Sequence, residues 1–167
     1  LEILAQGGGI LSTVRVTRSA SQAELEAKGR RALDEMPRLG TTTCEAKSGY
    51  GLDTETELKQ LRAIRVLNGS HPVDLVPTFL GAHAVPEEYR EDRAGYVRLV
   101  CEEMIPAATG EGLAKFCDVF CETGVFSAGK TRTILEAGLR HGLRPKIHAD
   151  EIDAIGGPPP AREGGGG

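Results

Sequence analysis

The fold is decided by residues 73–122, which read VDLVPTFLGAHAVPEEYREDRAGYVRLVCEEMIPAATGEGLAKFCDVFCE. The apolar run at its start predicts a strand, and the apolar residues at helical spacing after Pro86 predict a helix. The segment KFCDVFCE at its end predicts a second strand. A strand, a crossover helix and another strand in this order form a βαβ unit, in which the two strands are parallel.

The same alternation continues on both sides of this unit. Residues 41–47 (TTTCEAK) are rich in β-branched side chains and predict an earlier strand, and residues 144–151 (RPKIHADE) predict a later one. The four strand starts lie about 30 to 43 residues apart, which is the size of a βα unit with its loops. The predicted helices cover residues 19–40, 53–69, 86–108 and 127–142. The pattern indicates an α/β fold with a parallel sheet and helical crossovers.

Two of these helices carry a local signal for their first turn. A serine or threonine three residues before a glutamate is the signature of a capping box. It occurs at Ser21 with Glu24 and at Thr54 with Glu57. Both pairs are therefore predicted to cap a helix.

Two architectures fit parallel strands joined by helices. A doubly wound open sheet commonly has a glycine-rich turn after its first strand, but the glycines at residues 7–9 follow no clear strand. A (β/α)8 TIM barrel instead builds its active site from residues that follow the strands. Polar residues follow all four strands here: Lys47, Ser48, Gly49 and Tyr50, then His83, then Cys121 and Glu122, then His148, Asp150 and Glu151. We therefore predict a partial (β/α)8 TIM barrel of about four βα units.

Closure of such a barrel takes eight strands, and four are predicted. A four-stranded parallel piece leaves two unpaired edges and an open inner face, which soluble proteins tolerate poorly. We therefore expect a fragment of a longer enzyme, with a partial barrel over residues 1–157. Residues 158–167 form a low-complexity Pro/Gly tail. This tail is interpreted either as flexible or as a truncated or mis-read end.

Composition narrows the classes of partner. The 167 residues carry a net charge of -4 with interspersed Lys and Arg, which is unlike the clustered basic face of nucleic-acid-binding proteins. The apolar runs fall far short of the ~20 residues that cross a bilayer. The four cysteines are too few for a secreted disulfide scaffold and predict reduced thiols. We expect a cytoplasmic protein with a small-molecule partner, and neither nucleic acid nor membrane.

The fourth strand ends in a candidate pair for metal-assisted chemistry. His148 is the candidate metal ligand, because imidazole is the commonest metal ligand and a strand end holds it rigidly. A hydrogen-bonded core histidine is the alternative. Glu151 follows three residues later and is the candidate catalytic carboxylate, which moves a proton when water attacks a carbonyl. Asp150 is assigned a supporting or helix-capping role.

The first two strand ends supply candidate substrate contacts. His83 is predicted to donate to a substrate oxygen, and Tyr50, between Gly49 and Gly51, presents a phenol on a tight loop. Lys47 supports a different class of enzyme, because a strand-end lysine could form the Schiff base of a class I aldolase or related lyase. A non-catalytic binding protein on the same barrel is a third possibility.

Five stretches together carry a family resemblance. ILAQGGGILSTV, KSGYGLDTETELKQLR, FLGAHAVP, DVFCE and HADEIDAIGG resemble, in order and spacing, the imidazolonepropionase family of metal-dependent amidohydrolases. The resemblance extends from residue 1 to about residue 157. It implies a hydrolase of histidine degradation that opens the ring of 4-imidazolone-5-propanoate with water, giving N-formimidoyl-L-glutamate. The family uses one zinc or iron ion.

The resemblance also implies roles for individual residues. His148 resembles the metal ligand on the fifth barrel strand, so the visible strands would be the second to the fifth. Tyr50 and His83 resemble substrate-binding residues, and Glu151 resembles the acid that contacts substrate and assists proton transfer. The family's other metal ligands and its substrate arginine have no counterparts here, so the fragment alone is expected to be inactive. A different cyclic-amide amidohydrolase and a homodimeric parent are both left open.

Overall fold

The computed structural model describes residues 10–149. The glycines at 7–9 and the Pro/Gly tail at 158–167 lie outside the described residues. So do two residues singled out for their chemistry, Asp150 and the predicted catalytic acid Glu151.

Four strands of the described chain form one parallel sheet in chain order. They are β1 (Thr43–Lys47), β2 (Asp74–Ala82), β3 (Phe116–Cys121) and β4 (Arg144–Ala149). Each strand pairs in parallel with the next, and the sheet curls like half of a barrel. The predicted α/β class and the four strands are thereby confirmed. The full amidohydrolase barrel stays a prediction.

Helices connect the strands and cover one face of the sheet. The α-helices of the described residues are α1 (Ile10–Ser19), α2 (Gln22–Glu35), α3 (Thr54–Asn68), α4 (Arg93–Leu99), α5 (Ile105–Gly110) and α6 (Ala128–Arg140). Short 3-10 turns occur at Pro37–Leu39 and Glu87–Tyr89, and a π-helical turn at Val100–Met104. Within residues 10–149, none of the helices has the length and apolar character needed to cross a membrane.

The structure confirms one of the two predicted capping boxes and contradicts the other. Ser21 caps α2 with a complete capping box, as predicted. The prediction of a second capping box, formed by Thr54 and Glu57, is wrong. Asp53 is the capping residue of α3, and its carboxylate accepts the N–H of Thr56 at 2.7 Å. A carboxylate is a stronger acceptor than a threonine hydroxyl, which explains the earlier cap and leaves Glu57 available for other contacts.

The helix predicted over residues 86–108 is not continuous. It begins with a 3-10 turn, restarts at Arg93 after the cap residue Asp92, and widens into the π-helical turn just before α5. Pro106 lies in the first turn of α5. Proline has no N–H to donate and its ring crowds the preceding turn, so a regular α-helix cannot run through this position unchanged.

The main core lies between the sheet and these helices. Phe79, Tyr96 and Phe126 are fully buried there, and the Tyr96 hydroxyl donates to the carbonyl of Gly81 at 2.7 Å. All four cysteines are free thiols, as predicted from composition. One of them, Cys117, packs on α6 from the helix-facing side of β3.

Candidate active site at the carboxyl ends of the strands

The face of the sheet turned away from the helices carries polar side chains. Strand register places Asp118 beside Lys146 and Phe120 beside His148 on this face. Hydrogen bonds run across the strands, from Lys146 Nζ to Glu45 at 2.8 Å among others. The polar row consists of Glu45, Lys47, Thr78, Asp118, Lys146 and His148. A sheet face of this kind can bind a polar ligand.

Asp118 connects His148 to Lys47. Its side chain is 1% exposed, and both carboxylate oxygens lie 3.1 Å from Nδ1 of His148. The Lys47 ammonium lies 2.5 Å from Oδ2. Burial would raise the pKa of Asp118, but the hydrogen bonds and charges of His148 and Lys47 outweigh burial and hold it below its ordinary value. Asp118 is therefore a buried, charged carboxylate.

The environment of Lys47 weighs against the Schiff-base lyase. Burial lowers the pKa of Lys47, but the hydrogen bond and charge of Asp118, together with Glu45, more than reverse this and raise it. A lysine must be neutral to attack a carbonyl. Lys47 is instead an ion-paired ammonium of the polar row.

The ring of His148 is held on two sides. Phe120 stacks on it with ring centroids 4.7 Å apart and planes 7° from parallel. Since a carboxylate oxygen accepts a hydrogen bond, the contact with Asp118 assigns the proton of the neutral ring to Nδ1. Nε2 then carries the lone pair that a metal ligand needs.

His148 fits the role of one metal ligand. Metal-binding histidines usually donate their second ring N–H to a carboxylate or carbonyl, as His148 does to Asp118. Across residues 10–149 there is no group of three or more His, Cys, Asp or Glu side chains placed to hold a metal ion. A catalytic zinc takes about three protein ligands. Residues 10–149 alone therefore do not form a metal site, and the ligand role of His148 stays a prediction.

The loop at residues 48–52, which carries Tyr50, is anchored by a buried carboxylate. Glu57 is 1% exposed, and its Oε2 accepts the N–H of Gly49 at 2.8 Å. Its Oε1 accepts the N–H groups of Gly51 and Leu52 at 2.8 and 2.9 Å. A single side chain thus satisfies three backbone donors of the loop, which would be costly to bury unpaired.

Gly49 joins this loop to the second strand end. Its φ of 101° is in the left-handed region, and a Cβ there would lie 2.9 Å from the carbonyl oxygen of Leu80. No other residue suits this position. The Gly49 carbonyl lies 2.9 Å from Nδ1 of His83, and a carbonyl only accepts, so Nδ1 of His83 is the protonated nitrogen.

Three of the predicted site residues meet at the strand ends. The ring of Tyr50 lies edge-on to His83 at 5.0 Å, and His83 lies 5.9 Å from His148, all between ring centroids. Phe120 completes the cluster at 6.0 Å from His83. Tyr50 is 36% exposed and therefore accessible to a ligand. The individual roles of these residues stay predictions, as does the role of Glu151.

Asp118, Phe120 and Glu57, which orient the predicted site residues, were not predicted as part of this site, and neither were Glu45, Thr78 and Lys146 of the polar row. Asp118 and Phe120 alternate with Cys117 and Val119, so their strand pattern places them on the face opposite the core. A charged residue inside an apolar strand was the available signal for Asp118. Glu57 was recognised only as a helix cap.

The amino-acid sequence was compared with those of known proteins and protein families. No protein-family model matches the chain. Proteins named imidazolonepropionase from Alkaliphilus metalliredigens, Shouchella clausii and Geobacillus thermodenitrificans are 59%, 56% and 55% identical to it over 165, 157 and 165 residues. The chain is similar to imidazolonepropionases. The matches cover 94 to 99% of this chain but only 35 to 39% of these curated imidazolonepropionases. The family resemblance stated from the motifs is thereby confirmed.

Proposed function

We propose that this chain is the part of an imidazolonepropionase that holds one metal ligand and part of the substrate pocket. The observation that carries the proposal is sequence identity of 54 to 59% to proteins of that name along nearly the whole chain. The meeting of Tyr50, His83 and His148 at the strand ends supports it. In a barrel, this is the edge of the sheet where active sites are built.

The proposed reaction belongs to histidine degradation. Water adds to the ring carbonyl of 4-imidazolone-5-propanoate and the ring C–N bond of that amide breaks, giving N-formimidoyl-L-glutamate. A zinc or iron ion, when bound, would supply Lewis acidity to the carbonyl and the water. His148 would hold this ion through Nε2, with Asp118 behind it.

The remaining roles fall to three residues. Tyr50 and His83 would contact the substrate, and Glu151 would move the proton between water and the leaving nitrogen. Because Nδ1 of His83 donates to the Gly49 carbonyl, a contact from this ring to the substrate would be made through Nε2. It donates when the ring is a cation and accepts when the ring is neutral. The predicted donation to a substrate oxygen therefore requires a protonated His83.

The proposal includes a small-molecule substrate as the partner and a cytoplasmic location. Four free cysteines, two of them partly exposed, suit a reducing compartment. The net charge of -4 gives no support to a nucleic-acid partner.

A chimera tests the proposal. In the chimera, this chain replaces the matched segment of the Alkaliphilus metalliredigens imidazolonepropionase. The Alkaliphilus protein supplies the rest of the enzyme. We expect the chimera to bind metal stoichiometrically and to open the ring of 4-imidazolone-5-propanoate. The variant H148A should lose both properties, and Y50F should raise KM while keeping the metal.

The exposed helix-end residue His141 provides the control. H141A should leave metal content and activity unchanged. A folded, metal-loaded chimera that does not open this ring would refute the proposed function.

A further inference from the structure

The carboxylate of Asp118 makes more contacts than an ion pair requires. One oxygen would suffice to pair with Lys47, which also has Glu45 as a partner at 3.7 Å. Both Asp118 oxygens nevertheless lie 3.1 Å from Nδ1 of His148. The contact to His148 is thus a distinct feature of the cluster.

Two strands fix the geometry of this contact. Asp118 and Phe120 lie two residues apart on β3, and His148 is the register partner of Phe120 on β4. The stacking of Phe120 sets the plane of the imidazole, and Asp118 sets which nitrogen carries the proton. Lys47 in turn occupies Oδ2 from β1. The ring is therefore oriented by two residues of the neighbouring strand β3, one of which is held in turn by Lys47.

We propose that Asp118 is a positioning residue that holds His148 in the Nδ1–H tautomer and so presents Nε2 to the metal, with Lys47 fixing the carboxylate. This inference rests on the proposed function for the identity of the ligand role. The tautomer itself can be measured without metal or substrate. Outer contacts of this kind are typically worth 10- to 100-fold in metal affinity.

The variant D118N tests whether Asp118 determines the tautomer of His148. Asparagine has the shape of aspartate but offers one acceptor oxygen and one NH2 group. Lys47 donates only, so it should take the amide oxygen and leave the NH2 facing His148. Nδ1 would then have to accept, which moves the ring proton to Nε2. The double variant K47M/D118N frees the amide oxygen and should restore the Nδ1–H tautomer.

The first measurement is the ¹⁵N spectrum of histidine side chains in the metal-free chain, at a pH where the rings are neutral. We expect Nδ1–H for His148 in the native sequence, Nε2–H in D118N, and recovery of Nδ1–H in K47M/D118N. The control E45Q removes the other partner of Lys47 and should keep Nδ1–H. If the isolated chain gives no folded spectrum, the metal-free chimera is measured instead.

The second measurement is zinc affinity of the chimera by competition with a chelator. D118N should lower it about 10- to 100-fold, and K47M/D118N should recover most of the loss. An Nε2–H tautomer in the native sequence, or unchanged zinc affinity in D118N, overturns the inference. A chimera that is inactive on 4-imidazolone-5-propanoate but shows the expected tautomers refutes only the proposed function.

Discussion

At the scale of single residues, the buried carboxylate of Glu57 organises the loop that carries Tyr50. Its two oxygens accept three backbone N–H groups of this loop. One of these belongs to Gly49, whose carbonyl accepts a hydrogen bond from Nδ1 of His83. The position of two predicted substrate contacts therefore depends on one acid that would not touch the substrate. An amide in its place cannot accept on both ends.

We predict that E57Q destabilises the chain by about 1–3 kcal/mol, the usual cost of a buried donor left unpaired. The glutamine NH2 would face the N–H of Gly49 or those of Gly51 and Leu52. Urea unfolding measures the loss. The control E55Q changes an acid on the same helix whose side chain is 78% exposed, and its effect should stay within about 0.5 kcal/mol. Equal stability of E57Q and E55Q would contradict the role of Glu57.

The buried thiol of Cys117 is predicted to react slowly with alkylating reagents at any pH well below its pKa. Burial, with a smaller contribution from the charge of Asp118, raises the pKa of Cys117 to about 12. A thiol with a raised pKa stays protonated and unreactive below that value, since the thiolate is the nucleophile. In the folded chain at pH 8, Cys44, which is partly exposed, should be alkylated by iodoacetamide well before Cys117. Peptide mass spectrometry gives the order, and both should react readily in denaturant.

At this scale the sequence predicted the residues that stand after strands. Tyr50, His83 and His148 were predicted to lie together because strand ends converge in a parallel sheet, and the structure brings their rings together. Glu57 was misassigned because the local signature of a capping box is the same whether the glutamate bonds its own helix or a neighbouring loop. Only the tertiary structure decides between the two partners.

At the scale of elements, the fit of α6 on β3 depends on a glycine. A Cβ at Gly138 would lie 2.9 Å from Cβ of Cys117, so helix and strand approach each other more closely than alanine permits. The same helix contains Gly129 near its start, where a Cβ would meet nothing within 4 Å. The two positions form a matched pair of substitutions.

We predict that G138A and G129A change stability in opposite directions. G138A should destabilise by about 1–3 kcal/mol through overpacking. G129A should stabilise by about 0.4–1 kcal/mol, because alanine reduces the entropy of the unfolded chain and favours helix. Urea midpoints of the two variants and the native chain decide the matter. A stabilising G138A would show that α6 does not pack this closely.

The elements themselves were mostly predictable, and the exception has a clear cause. The strands were predictable because these apolar runs are short, are bounded by turn residues and are rich in β-branched or aromatic side chains. The helix over residues 86–108 was predicted as continuous from its apolar stripe alone. The helix is interrupted by Pro106 and by the cap residue Asp92. The spacing of the apolar residues carries no information about either.

At the scale of the whole molecule, the sheet is open where a barrel would be closed. In the described residues, β1 and β4 each pair with one neighbour only. The polar row remains partly exposed, with side chains of Lys47 at 35% and His148 at 28%. In a complete (β/α)8 barrel, eight strands close this face and can bring further side chains to it. Four strands therefore fix where these side chains lie without forming the set of about three ligands that a catalytic zinc needs.

We therefore predict that the isolated 167-residue chain neither holds zinc stoichiometrically nor opens the ring of 4-imidazolone-5-propanoate, whereas the chimera does both. One imidazole, even when oriented by Asp118, cannot replace about three ligands. Elemental analysis after gel filtration measures the metal, and loss of substrate absorbance measures the reaction. The variant H148A is compared in both proteins. It should abolish zinc binding and ring opening in the chimera, and it should leave both measurements unchanged in the isolated chain. Stoichiometric zinc with ring opening by the isolated chain would mean that residues outside 10–149 complete the site within this sequence.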